Sequence, residues 1–142
     1  MNHLKDLLRD RQMFSVESDC TVSDAARKMA EVRVGAILVL ENGQLRGLFS
    51  ERDLMTRVVV AGRNPEQTPV REVMSTELAT IEETATSENA MEMMQRQNCR
   101  HLPVTRGSAV VGMISMRDLM NHELELKADE IRHMRAYITG NG

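Results

Sequence analysis

The order of apolar and polar positions predicts one run of elements, written twice along the chain. In the first half Val22, Ala25, Ala26, Met29 and Val32 recur at helical spacing, and Thr21 with Asp24 forms a capping pair ahead of them. Ala36 to Leu40 is a continuous apolar run, short enough for a buried strand. Asn42-Gly43 is a strong hairpin signal, so Leu45 to Phe49 is predicted to return as a second strand. A helix is predicted from about Glu51 to Ala61, stopped near Gly62. The second half predicts a helix over Ser87 to Gln97, a strand at Leu102-Pro103-Val104, a turn at Arg106-Gly107-Ser108, a strand over Val110 to Ile114 and a helix from Met116. A short strand precedes each run, near Phe14-Ser15-Val16 and Ala79-Thr80-Ile81.

This is a duplication. Displaced by about 65 residues, Thr21 to Met55 lies on Thr86 to Met120 without a gap. Gly47, Ser50, Arg52, Asp53, Leu54 and Met55 meet Gly112, Ser115, Arg117, Asp118, Leu119 and Met120. A unit this small cannot cover both faces of its sheet, so two copies are expected to pack sheet to sheet. The fold class is therefore α/β (α+β), tandem βαββα repeats with pseudo-two-fold symmetry, flanked by N- and C-terminal helices. Residues 1–65 are assigned to the first repeat with its N-terminal helix and 66–142 to the second with its C-terminal helix. Gly62 and the prolines Pro65 and Pro69 mark the connection. Leu4, Leu7 and Leu8 make the N-terminal segment amphipathic. Met120, Leu124, Ala128, Ile131, Met134 and Ile138 form an apolar stripe on the last helix that needs a cover, and a homodimer contact is expected to supply it.

Composition narrows the chemistry. With 2% aromatic residues and 12 methionines, the core must be aliphatic and thioether-filled. A net charge of -3 argues against a general affinity for nucleic acid. Cys20 and Cys99, the only cysteines, form no CxxC pair, so a disulfide framework or zinc site is not expected. No secretory h-region or membrane-length apolar run is present, and the reading is a soluble, cytoplasmic protein without membrane partners. No nucleophile–base–orienter set, Walker loop or dinucleotide glycine motif appears, so an enzyme is not expected.

The order of apolar strand, turn and Gly-x-x-Ser-x-x-Asp at the strand-to-helix junction is similar to the CBS domain, and tandem copies form a Bateman module. The resemblance covers roughly Phe14 to His122. Ser50-Glu51-Arg52-Asp53, Thr68 to Met74, Arg100 to Val104 and Tyr137-Ile138-Thr139-Gly140 resemble stand-alone bacterial Bateman proteins and their plant mitochondrial relatives. Leu54 stands where that narrower group often has Tyr, and Arg117 where it often has Gly. The resemblance implies ligand clefts between the copies, adenine-containing ligands (AMP, ADP, ATP, S-adenosylmethionine or NAD(H)), no catalytic cofactor, and dimerisation.

The residues suit such a ligand on physical grounds. Asp53 and Asp118 can accept hydrogen bonds from adjacent ribose hydroxyls. Ser50 and Ser115 stand where a helix begins and free N–H groups favour an anion. Gly47 and Gly112 would let a ligand approach the strand. Arg52, Arg117, Arg57, Arg100 and His101 offer charge for phosphate. Val34-Gly35-Ala36 and Cys99-Arg100-His101 begin matching strands and would line an adenine slot. The competing reading of Ser-x-x-Asp is a plain capping box. The expected function is an adenine-nucleotide sensor signalling to an unidentified partner protein. The alternative is a non-catalytic interaction scaffold with vestigial clefts.

Overall fold

The structure is a computed structural model and describes residues 3–138. Met1, Asn2 and, from the closing motif, Thr139 and Gly140 lie outside them. Helix α1 (Leu4–Leu7) is a single turn. The first repeat runs β1 (Ser15–Glu17), α2 (Val22–Val32), β2 (Ala36–Glu41), β3 (Gln44–Ser50) and α3 (Glu51–Asp53), followed by a π-helix, Leu54–Val59. The second runs β4 (Ile81–Glu82), α4 (Ser87–Gln97), β5 (His101–Arg106), β6 (Ala109–Ser115) and α5 (Met116–Ile138). These are the tandem repeats the pattern predicted.

Local chemistry explains the elements. Thr21 accepts the Asp24 N–H and Asp24 returns the bond to the Thr21 N–H; Thr86 and Asn89 do the same for α4. Val22, Ala25 and Met29 are buried on one face of α2, as Ala90 and Met94 are on α4. Arg33 and Asn98 end these helices with left-handed backbone, at φ 60° and 52°. Each sheet has its middle strand parallel to the first and antiparallel to the third, in orders β1-β2-β3 and β4-β5-β6. Ala36 pairs with Ser50 as His101 pairs with Ser115, and the register slips at Val39/Leu40 as it does at Val104/Thr105. Even the irregularity is duplicated.

The helix predicted over 51–61 is instead one α turn running into the π-helix. Thr56 Oγ1 donates to the Arg52 carbonyl at 2.8 Å and competes with the backbone ladder there. The wider turn keeps Val58 buried, while Met55, Val59 and Val60 stay exposed.

Among the described residues three apolar clusters form the core. One lies under the first sheet (Ile37, Val39, Phe49, Val58) and one under the second (Leu102, Val104, Ile114, Leu119). The third joins the repeats: Ala36, Leu38 and Leu48 pack with Leu78, Val110 and Met113. The leading segments are exchanged between repeats. Val70 and Val73, ahead of the second repeat, complete the first core, and Leu4, at the N-terminus, completes the second. The contacts correspond. Val70 donates its N–H to the Cys20 carbonyl at 2.8 Å, and Leu4 donates to the Ala85 carbonyl at 2.9 Å. Thr21 bridges to Pro69, and Thr86 to His3. Burying a leucine side chain contributes about 2 kcal/mol, so Leu4 is a firm anchor for the N-terminal segment.

Candidate functional site

The duplicated serines and aspartates stand at the two strand-to-helix junctions, and their surroundings differ. At the first, the Ser50 N–H and hydroxyl both donate to Asp53 Oδ2, each at 3.0 Å. The Asp53 N–H donates back to Ser50 Oγ. Ser75 Oγ, from the exchanged segment, donates to Asp53 Oδ1 at 3.1 Å, and Arg57 Nε lies 3.7 Å from the same oxygen. Asp53 is 5% exposed. Both its oxygens are used inside the protein, as a capping box extended by one serine. Arg57 also donates to the Met74 carbonyl at 2.9 Å, which commits it to holding the inter-repeat segment.

At the second junction the cap is the same and the cover is not. The Ser115 N–H donates to Asp118 Oδ2 at 2.8 Å, and the Asp118 N–H donates to Ser115 Oγ at 3.0 Å. Arg11 Nη1, from the N-terminal segment, lies 3.0 Å from Asp118 Oδ2. The Asp118 side chain remains 25% exposed. It opens on a pocket of about 280 Å³, lined also by Asp6, Leu7, Arg11, Asn121, His122 and Glu125. Burial pushes the Asp118 carboxyl up, but the Ser115 N–H, the Arg11 guanidinium and the Ser115 hydroxyl outweigh it and hold the group below its usual range.

The other predicted residues divide by location. Gly35 and His101, one from each repeat, face each other: a Cβ on Gly35 would lie 3.6 Å from His101 Nε2 and 3.4 Å from Glu51 Oε1. Burial pushes the His101 imidazole down, against the opposing pull of Asp118 and Glu51. Ala36 is wholly buried between the sheets, and Val34 packs against the first core. Arg52, Arg100 and Arg117 are exposed and form no ion pair among the described residues.

The two glycines do not leave room for a ligand. A Cβ on Gly47 would stand 2.5 Å from Met74 Sδ and 2.9 Å from the Ser75 carbonyl, and one on Gly112 would stand 3.1 Å from Leu8 Cδ1. The exchanged segments occupy that space, so glycine serves chain packing here. Sequence reasoning missed Asp6, Leu7, Arg11, Asn121, His122 and Glu125 at the pocket, and Ser75 and Glu51 at the junctions. One signal was available. A displacement one residue longer than the repeat sets Leu4 on Val70 and Leu8 on Met74, which identifies the N-terminal segment as the second repeat's cover. No cluster of three His, Cys, Asp or Glu side chains suited to a metal occurs among the described residues, and no described helix is long and apolar enough to cross a membrane.

Comparison with known proteins agrees with this architecture. The CBS domain matches the chain twice, at residues 4–60 and 70–125. The CBS domain-containing protein YhcV of Bacillus subtilis is 36% identical over 124 residues, spanning 87% of both chains. The mitochondrial CBS domain-containing protein CBSX3 of Arabidopsis thaliana is 32% identical over 128 residues, 87% of this chain and 62% of the plant protein. Among solved structures, the CBS domain protein PAE2072 of Pyrobaculum aerophilum, complexed with AMP, superposes with a TM-score of 0.75 at 26% identity, over 82% of this chain and 89% of that one.

Proposed function

The chain belongs to the CBS-domain family as a tandem pair, and on that premise we propose that it is a non-catalytic sensor binding an adenine nucleotide at the second junction, beside Asp118. The observation that carries this is the contrast between two copies of one motif. Asp53 is sealed by Ser50, Ser75 and Arg57, whereas Asp118 keeps a quarter of its side chain open to a 280 Å³ pocket. That volume lies near the lower end of small-ligand sites. The first junction, by the same contrast, fits the vestigial reading.

In this proposal the ribose hydroxyls donate to Asp118, displacing the Arg11 guanidinium, which then turns to phosphate. Arg117 and Arg100, both exposed, supply further charge, and Ser115 keeps the carboxylate aimed. His101 and Gly35, which face each other between the repeats, lie outside the lining of this pocket. The lining holds three carboxylates, Asp6, Asp118 and Glu125, against one guanidinium, Arg11. Such a site tolerates one phosphate better than three, so AMP is favoured over ADP and ATP. The AMP bound to the Pyrobaculum relative supports the ligand class. Arg11 belongs to the segment anchored by Leu4 and Leu8, so binding at Asp118 is coupled to how that segment sits, and a partner protein can read the change. The protein works in the cytoplasm as a homodimer, without nucleic acid or membrane partners.

A thermal-shift series with AMP, ADP, ATP, NAD, NADH and S-adenosylmethionine tests the proposal. Ligand at a hundred times its Kd adds about 2.7 kcal/mol, or several degrees for a chain this size. AMP should give the largest shift, and Asp118→Ala should abolish it. If no compound moves the transition, the scaffold reading replaces the sensor.

A further inference from the structure

Helix α5 touches its own repeat near its start, where Leu119 is its single buried residue. Beyond that point Met120, Leu124, Ile131, Met134 and Ile138 are each half or more exposed. With Lys127 they advance in alternating steps of four and three, the heptad spacing of a coiled-coil seam. Leu126 and Tyr137, also exposed, fall off this stripe.

We propose that this seam is covered by the same seam of a second copy, running antiparallel about a two-fold axis near Asp129. The inference rests on the self-association proposed above and adds its surface, direction and register. The direction follows from Lys127, the one charge in the seam. A parallel pair would set Lys127 against Lys127 of the partner subunit in an apolar layer, a strongly unfavourable arrangement. The antiparallel register sets it against the partner's Ile131. The remaining layers then match throughout: Leu124 meets the partner's Met134, and Met120 meets the partner's Ile138. Ala128 falls beside the partner's Ala128 at the axis, where small side chains let helices approach. Lys127 Nζ lies 3.9 Å from Glu130 in its own helix. At the axis two lysines and two glutamates therefore alternate in sign.

A second observation concerns the end of the seam. Between α4 and the base of α5 lies a mostly apolar groove of about 330 Å³, walled by Met91, Met116, Met120 and Leu124 and lined also by Gln95, Glu123 and Lys127. The antiparallel register delivers the partner's Ile138 to this groove. Flexible methionine walls accommodate a branched side chain readily. The paired stretch from Met120 to Ile138 spans about 28 Å, long enough to set each repeat pair beside the far end of the other helix.

Sedimentation velocity on the full chain over a concentration series is the test, with far-ultraviolet circular dichroism confirming that each variant is folded. The wild type should dimerise, and Ile131→Glu should weaken the dimer about a hundredfold or more, because two-fold symmetry buries the carboxylate twice. Val59→Glu, on the exposed face of the first repeat, should leave the dimer intact. In a Cys20→Ser, Cys99→Ser background, Ala128→Cys should cross-link into a covalent dimer under oxidised glutathione. A wild-type monomer at every soluble concentration overturns both the homodimer and the seam. A dimer that survives Ile131→Glu, or that Val59→Glu abolishes, overturns the seam while the homodimer stands. A dimer that Ala128→Cys fails to cross-link overturns the antiparallel direction.

Discussion

Arg11 Nη1 lies 3.0 Å from Asp118 Oδ2, so the N-terminal segment reaches across the molecule to the carboxylate that opens the second repeat's helix. The matching carboxylate of the first repeat, Asp53, is held by Ser75 from the inter-repeat segment. Each repeat thus covers its sibling's junction. One cover is a short neutral hydroxyl that seals the site, and the other is a long, half-exposed guanidinium that can swing away.

Arg11→Ala should therefore change ligand preference more than stability. The pair is partly exposed, and such pairs contribute about 0–1 kcal/mol. AMP affinity should fall about tenfold, the loss of one charge-assisted phosphate contact, while adenosine affinity holds or rises. Calorimetric titration of the variant with both compounds checks this. Equal losses for AMP and adenosine would place Arg11 outside the phosphate contact.

The two aspartates should separate by phenotype. Asp53→Ala removes a buried cap and strands the Ser75 hydroxyl, so it should cost about 1–3 kcal/mol while leaving the AMP-induced shift in place. Asp118→Ala should cost less stability and lose the shift. Urea unfolding with and without AMP distinguishes them. The opposite assignment would move the site to the first junction.

The glycines test the exchange of segments. Gly47→Ala should destabilise by about 1–3 kcal/mol, because the Ser75 carbonyl stands 2.9 Å from the added methyl and belongs to a bridged backbone. Gly112→Ala should cost less, since its nearest neighbour is the end of the Leu8 side chain. Equal effects in denaturation would mean that the two covers pack alike.

Acid should loosen the boundary between the repeats. The His101 pKa is held below its ordinary 6.5 in the folded chain, so the unfolded chain binds the proton first as pH falls. The His101 contribution is then constant well above pH 6.5 and turns unfavourable below it, until the folded imidazole also titrates. His101→Gln should flatten that decline. The depressed Asp118 carboxyl adds its own loss further down, below its ordinary 3.8. Melting temperatures of the wild type and His101→Gln from pH 8 to pH 5, about the range in which histidine titrates, isolate the His101 part by difference.

Cys20 should be a sluggish thiol. Burial first, then Asp24, Asp19 and Glu17, push its pKa up to about 11. Little thiolate exists near neutrality, and alkylation should accelerate only in strong alkali or on unfolding. Rapid modification of Cys20 in the native protein at pH 7.5, about a unit below the pKa of a free cysteine, would show that its surroundings are more open.

Much of this molecule is written locally. Helix caps at Thr21 and Thr86, apolar runs at Ala36 to Leu40 and the Asn42-Gly43 turn depend on neighbours a few residues away, so the repeated fold and the CBS relationship are legible in order and spacing alone. The Ser-x-x-Asp junctions are legible too, but not their difference. Whether a carboxylate is sealed or open depends on what a distant segment lays over it, and neither Ser75 over Asp53 nor Arg11 over Asp118 is a neighbour in sequence. The same holds for Gly47 and Gly112, whose missing side chains admit Met74 and Leu8. Local pattern determined the elements and their duplication. The tertiary exchange of leading segments decided which copy kept an accessible acid, because desolvation and hydrogen-bond satisfaction are set by packing between parts of the chain that propensity does not connect.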